Sequence, residues 1–328
     1  MLMSDAIIFM NTWLPQVTEN DKITIVKTLT SNEKTFGNSL LQQYMTRIAP
    51  YNTILGVNSP REPDYLASGI VFFYGCLFYI MHFKGWENHI DDILSYNLLY
   101  MLVDHYIDDN NVPSDIKKIA IGQMFILIYN PMAYENMQLV DPILKTIAIT
   151  YHKLVQRCPL VKQCIIKLFN SEVIGLQIQK QSNLDREKYY NIASDKGGYT
   201  ILVLQAIIGN IDESITTSSY HIGTIMQLID DVADCTDDNN NGIHTIATFD
   251  LHTKGTLDDL WMDIIHRIST IDRRFTIFMI LYAVFAVYLP ERNKEHFSTT
   301  LCSHTTKHNL FNFNGSSLLV NALMNEIK

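Results

Sequence analysis

The chain has 328 residues, 47% hydrophobic and only 18% charged, with 34 acidic side chains against 25 basic ones and a net charge of -9. Its 14 glycines and 9 prolines are too few for a disordered, collagen-like or turn-dense all-β chain. An acidic balance without a basic cluster excludes nucleic acid as the expected partner, because phosphate contacts need Lys and Arg.

The first residues, MLMSDAIIFMNTWLP, carry no basic side chain before their short apolar run, so no signal peptide is expected. Residues 66–83 contain no Asp, Glu, Lys or Arg and reach the lower edge of membrane-spanning length. At that length a buried core helix is the expectation, with no integral membrane span. Apolar residues then recur at three- and four-residue steps, predicting helices over 96–107, 116–128, 140–155, 161–178, 199–208, 221–235, 257–271 and 275–287. Turn chemistry predicts breaks at Asn58-Ser59-Pro60, 110–113, Asn130-Pro131, Cys158-Pro159, 209–219, 239–242 and Leu289-Pro290. No alternating run, repeat or linker-like tract appears, so residues 1–328 read as one all-α domain. The cysteines (Cys76, Cys158, Cys164, Cys235, Cys302) form no CxxC pair, which fits a reduced, cytoplasmic protein.

Two acidic clusters interrupt the apolar helices. Asp104 and Asp108 are four apart and share a helical face, with Asp109 beside them. Asp230, Asp234 and Asp238 repeat the same step and form a stripe of three carboxylates. Like charges at this spacing destabilise a helix unless a cation intervenes. A hard divalent ion such as Mg²⁺ binds one or two carboxylates and completes its shell with water and phosphate oxygens. The alternative is a pair of solvated acidic helix ends. Between the clusters, Asp195-Lys196-Gly197-Gly198 places a Lys beside a glycine pair. A helix broken there would aim free N–H groups and Lys196 at an anion; a plain loop is the alternative.

These residues resemble the class I terpenoid synthase superfamily. The segment GTIMQLIDDVAD, 223–234, is similar to the second aspartate-rich motif of its prenyl synthases, Gly-x-x-x-Gln-x-x-Asp-Asp-x-x-Asp. In the cyclase manner, Asp230, Asp234 and Asp238 stand at the positions of the NSE motif. Asp104 and Asp108 resemble the outer positions of the first DDxxD motif, and Glu172 to Gln177 resembles the segment before the family's helix break. The resemblance covers about residues 72–239.

It implies a single-domain antiparallel helical bundle around a central apolar cavity, a prenyl diphosphate substrate and often a homodimer. It also implies three Mg²⁺ ions held by Asp104, Asp108, Asp109, Asp230, Asp234 and Asp238. Lys196, Arg186 and Lys307 would bind the diphosphate. Phe72, Phe73, Phe78, Tyr100, Tyr106 and Gly197 would line the substrate pocket, where aromatic faces stabilise a cation, and residues 239–242 would close as a lid. The second basic site that chain elongation needs is missing, since only Arg61, Lys117 and Lys118 carry positive charge in the corresponding regions. The expected activity is therefore cyclisation of one allylic diphosphate, farnesyl diphosphate first. The usual cyclase Arg before the kink and the C-terminal Arg-Tyr pair are absent too, with Ala193 near the former. Chain elongation, head-to-head condensation and a non-catalytic acidic interaction protein remain the alternatives.

Overall fold

The computed structural model describes residues 38–51, 76, 79–80, 83–107, 112–181, 184–209, 212–271, 275 and 295–298. Among them all regular structure is helical and no strand occurs, as the apolar periodicity requires. The described α-helices are α1 (Asn38–Ile48), α2 (Ile90–Ile107), α3 (Ser114–Tyr129), α4 (Pro142–Arg157), α5 (Val161–Ile178), α6 (Arg186–Ile208), α7 (Glu213–Ala233), α8 (Cys235–Asn241), α9 (Ile246–Lys254) and α10 (Asp258–Thr270). None of the described helices is long and apolar enough to cross a membrane. Within 66–83 the described helical residues Cys76, Tyr79 and Ile80 are fully buried. The predicted helix over 275–287 and the breaks at 58–60 and 289–290 lie outside the described residues, Phe275 apart.

The contacts divide the chain into two compact units. The aspartate unit takes the described residues of Gln177–Gly198 and Tyr220–Lys328, and the cavity unit those of Asn38–Leu176 and Tyr199–Ser219. The boundaries at 176/177, 198/199 and 219/220 fall inside α5, α6 and α7.

In the cavity unit α2 packs against α3 and α4 around Ile93, Leu94, Leu102, Leu144 and Leu154, each at most 2% exposed. Burying such a side chain contributes about 1.5–3 kcal/mol relative to leaving it exposed. The start of α4 is fixed by Asp141, whose carboxylate accepts the Leu144 N–H at 2.9 Å, and by Pro142 in the first turn. Buried Tyr106 donates its hydroxyl to both oxygens of Asp141 at 2.5 Å, which ties the end of α2 to the start of α4.

The structure departs from the expectation of a break at residues 213–219, 197–198 and 239–241. Residues 213–219 are the first two turns of α7 and not a loop. There Thr216, Thr217 and Ser219 return their hydroxyls to the carbonyls of Asp212, Glu213 and Ile215 at 2.9, 3.1 and 2.7 Å, so a polar run stays helical. α6 runs through Gly197-Gly198 without interruption. In the aspartate unit, α9 begins with a reciprocal capping box between Thr245 and Thr248 and ends at Gly255, whose φ of 75° suits a residue without Cβ.

Candidate functional site

Within the aspartate unit, α6 and α7 meet backbone to backbone. A Cβ on Gly197 would lie 2.0 Å from the Gly223 carbonyl oxygen, and one on Gly198 would lie 2.4 Å from the Tyr220 ring. Tyr220 donates its hydroxyl to Asp195 Oδ1 at 2.6 Å, and the Thr224 hydroxyl reaches the Ser194 carbonyl at 3.4 Å. The glycine pair therefore serves close helix packing; it does not break the helix or free N–H groups for an anion. Lys196 follows from this contact. Beside Gly197, it lines one small pocket with Gln179, Tyr189, Gln227, Asp231, His244 and Thr245. The pocket holds about 20 Å³, close to the room one water requires. Its wall is closed by the His244 N–H donating to the Gln179 carbonyl at 2.9 Å.

The aspartate stripe crosses a joint. α7 ends at Ala233, Asp234 adopts φ -91° and ψ 0°, and α8 begins at Cys235. Two bonds still bridge the joint: the Asp234 N–H donates to the Asp230 carbonyl at 2.9 Å, and the Asp238 N–H to that of Asp234 at 2.8 Å. Asp230 and Asp234 are exposed, Asp238 is half-buried, and Asp231 is buried. The Gln227 amide donates to Asp230 Oδ2 at 3.2 Å and to Asp231 Oδ1 at 3.0 Å.

Burial, and after it crowded charge, shows in the acidities. Burial pushes the Asp231 carboxyl up to about 7; the Gln227 hydrogen bond and the charge of Lys196 lower it, while Asp230 raises it. Burial pushes Asp238 up to about 8, with further upward contributions from Asp231, Asp234 and Asp230, again opposed by Lys196. The segment thus concentrates more negative charge than its surroundings stabilise. The donors are all carboxylate oxygens, the ligand type a hard cation takes, but among the described residues no three of them bring ligand atoms within 4.8 Å of one another.

The cavity unit holds a second, apolar space of about 80 Å³. Tyr96, Leu99, Tyr100, Val103, Met124 and Phe169 form part of its wall, and Asp104 and Glu172 add two carboxylates. Tyr96 directs its hydroxyl to the Thr200 carbonyl at 3.1 Å, leaving ring carbon for the cavity side. Asp104 and Tyr100 therefore stand at this apolar cavity. Tyr106 does not line it: its ring is buried and its hydroxyl is held by Asp141.

Arg186 is corrected as well. Its guanidinium makes a bidentate pair with fully buried Asp250, Nε to Oδ1 at 2.8 Å and Nη2 to Oδ2 at 2.9 Å, and it does not line the Lys196 pocket. The pair anchors α6 to α9. Of the expected lid, residues 239–241 belong to α8, and the turn is confined to Gly242 with φ 66°. Asn239 Oδ1 there lies 2.6 Å from His252 Nε2. Asp108, Asp109, Phe72, Phe73, Phe78 and Lys307 lie outside the described residues.

Four pocket or hydrogen-bonding residues, Asp231, Gln227, His244 and Glu172, lie outside the four-residue carboxylate spacing. Asp231 and Gln227 were legible, since both belong to the Gly-x-x-x-Gln-x-x-Asp-Asp-x-x-Asp pattern. Glu172 opens the segment that resembles the one before the family's helix break, whereas His244 reaches its pocket through tertiary packing and nothing in its local sequence marks it. No protein-family model matches the chain, and no curated protein matches it.

Proposed function

We propose that this chain is a Mg²⁺-dependent terpene synthase, which ionises an allylic prenyl diphosphate, farnesyl diphosphate first, and releases a cyclic terpene and diphosphate. The observation that carries the reading is Lys196 beside the aspartate segment: it shares a pocket with Asp231, and its charge opposes the burial that pushes Asp231 and Asp238 up to about 7 and about 8. The residues of the aspartate unit that would hold the metal are Asp230, Asp234 and Asp238. Bound there, Mg²⁺ supplies Lewis-acid neutralisation of the departing diphosphate. Lys196 donates to a diphosphate oxygen, and its positive charge is worth most on a leaving group whose charge grows in the transition state. Gln227 fixes the orientation of Asp230 and Asp231 from one side. The cavity unit supplies an apolar space walled by Tyr96, Tyr100 and Phe169, of the kind that excludes water and stabilises an allylic cation.

The test is incubation with Mg²⁺ and farnesyl or geranylgeranyl diphosphate, followed by gas chromatography of the extract. A metal-dependent cyclic hydrocarbon or cyclic alcohol supports the reading. Acyclic alcohol alone, or turnover that ignores the metal, defeats it.

One observation favours chain elongation as the second reading. Asp231, the second aspartate of the prenyl-synthase pattern, is the carboxylate that lines the Lys196 pocket, whereas the cyclase spacing gives it no role. Elongation predicts a longer-chain diphosphate when isopentenyl diphosphate is added, with no cyclic product.

A further inference from the structure

The start of α2 and the end of α4 carry a cluster unrelated to the aspartate-rich segments. His89 closes the short 3-10 helix Trp86–His89, Asp92 lies in the first turn of α2, and Cys158 follows the last residue of α4. All three belong to the cavity unit. One ligand atom from each, imidazole nitrogen, carboxylate oxygen and thiol sulfur, lies within 4.8 Å of the other two. The Cys158 thiol points at Asp92 Oδ2 at 3.6 Å.

Asp92 is the telling member. It is only 8% exposed, and its Oδ1 is buried without a hydrogen-bond donor. Arg157 Nε approaches that oxygen to 2.5 Å but off the direction of its N–H, so the contact is ionic and not a directed hydrogen bond. A buried carboxylate is ordinarily satisfied by donors on both oxygens. Here Arg157 steadies Oδ1 from outside, and Oδ2 is turned toward Cys158, the arrangement expected of a ligating carboxylate with an outer-shell partner.

We propose that His89, Asp92 and Cys158 form a zinc-type site, with nitrogen, oxygen and sulfur donors and a fourth position left to water or an exogenous ligand. The donor set is too soft for Mg²⁺ and matches a borderline-soft divalent ion. With metal–ligand bonds of about 2.0–2.3 Å, tetrahedral ligands sit about 3.5 Å apart, so the cluster must close by about 1 Å. Binding converts the Cys158 thiol to a metal thiolate, and its proton leaves to solvent. The ion would clamp the first turn of α2 to the end of α4, opposite in sequence to the Tyr106–Asp141 tie between the same two helices.

The experiment uses the full-length protein freed of metal by a chelator. Zn²⁺ is titrated by calorimetry, and Co²⁺ serves as an optical probe of a thiolate ligand. The expected result is one Zn²⁺ per chain, a thiolate-to-cobalt absorption band, and affinity reduced at least about tenfold in both Cys158→Ser and His89→Ala. The Asp230→Ala/Asp234→Ala double variant should bind Zn²⁺ as the parent does, which separates this site from the aspartate-rich segment. Absence of the thiolate band in the unaltered protein, or its persistence in Cys158→Ser, overturns the proposal.

Discussion

Gly197 and Gly223 approach so closely that a Cβ on Gly197 would fall 2.0 Å from the other's carbonyl oxygen, and one on Gly223 would fall 1.9 Å from that of Gly197. Alanine at either position must push two helix backbones apart. Overpacking of this kind costs about 1–3 kcal/mol, and the upper end is expected because backbone cannot rotate away. Gly122 in α3 is the contrast: it is exposed, and nothing lies within 4 Å of a Cβ placed there. Gly122→Ala should stabilise by about 0.5–1 kcal/mol. Urea unfolding of Gly197→Ala, Gly223→Ala and Gly122→Ala checks the opposite signs.

The aspartate segment predicts a pH dependence. In the metal-free fold the carboxyls of Asp231 and Asp238 stand at about 7 and about 8 against an ordinary 3.8. Across that window the folded state holds more protons than the unfolded chain, so stability falls as pH rises from about 4 to about 8. The urea midpoint of the metal-free protein should be lower at about pH 9 than at about pH 5, and Asp238→Asn should flatten the slope. Added Mg²⁺ should recover more stability at the higher pH, where carboxylates no longer compete with protons for their oxygens.

Arg186 is read here as the structural partner of Asp250. Removing one member of a buried pair costs about 3–5 kcal/mol, and Lys254 Nζ, 3.4 Å from Asp250 Oδ2, softens the loss toward the lower end. Arg186→Ala should lower the thermal midpoint while leaving the KM for prenyl diphosphate unchanged below that temperature. A raised KM with undiminished stability would return Arg186 to the diphosphate site.

Lys196→Ala tests the proposed chemistry. Loss of one preorganised donor to a departing anion lowers kcat by about 10²–10³. The fold should survive, because the α6–α7 contact rests on the neighbouring glycines. Steady-state kinetics beside circular dichroism separates the two effects.

Tyr100 and Tyr106 should behave differently although they lie on one helix. Tyr106→Phe removes a hydroxyl bonded to a carboxylate, at about 1.5–3 kcal/mol, and should leave the product profile unchanged. Tyr100→Ala reshapes the cavity wall and should alter the products with a smaller effect on stability. Chromatographic profiles paired with melting curves decide this.

The helices were readable wherever an apolar stripe met a clear stop. The expected span 161–178 matches α5 end to end, between Cys158-Pro159 and a polar stretch. The start of α7 was hidden because Thr216, Thr217 and Ser219 look like loop residues until their hydroxyls are seen bonding back one turn. The glycine pair was misread because its reason lies on another helix, at Gly223. Counting carboxylates by fours found Asp230, Asp234 and Asp238 but passed over Asp231, the one turned toward Lys196. Arg186 carried a plausible charge, yet its partner Asp250 is 64 residues away, a distance at which no local pattern speaks.

The joint at Asp234 changes the balance of peptide dipoles along the acidic segment. Were 230–238 one helix, its carboxylates would gather at the end where carbonyls give a partial negative charge. Because α7 stops at Ala233 and α8 starts at Cys235, Asp237 and Asp238 fall in a first turn, where the amide ends are partially positive and favour carboxylates. Asp230 and Asp231 remain in the last turn of α7. A single bent residue thus moves two acids from the unfavourable to the favourable pole of a helix while keeping the four-residue repeat intact.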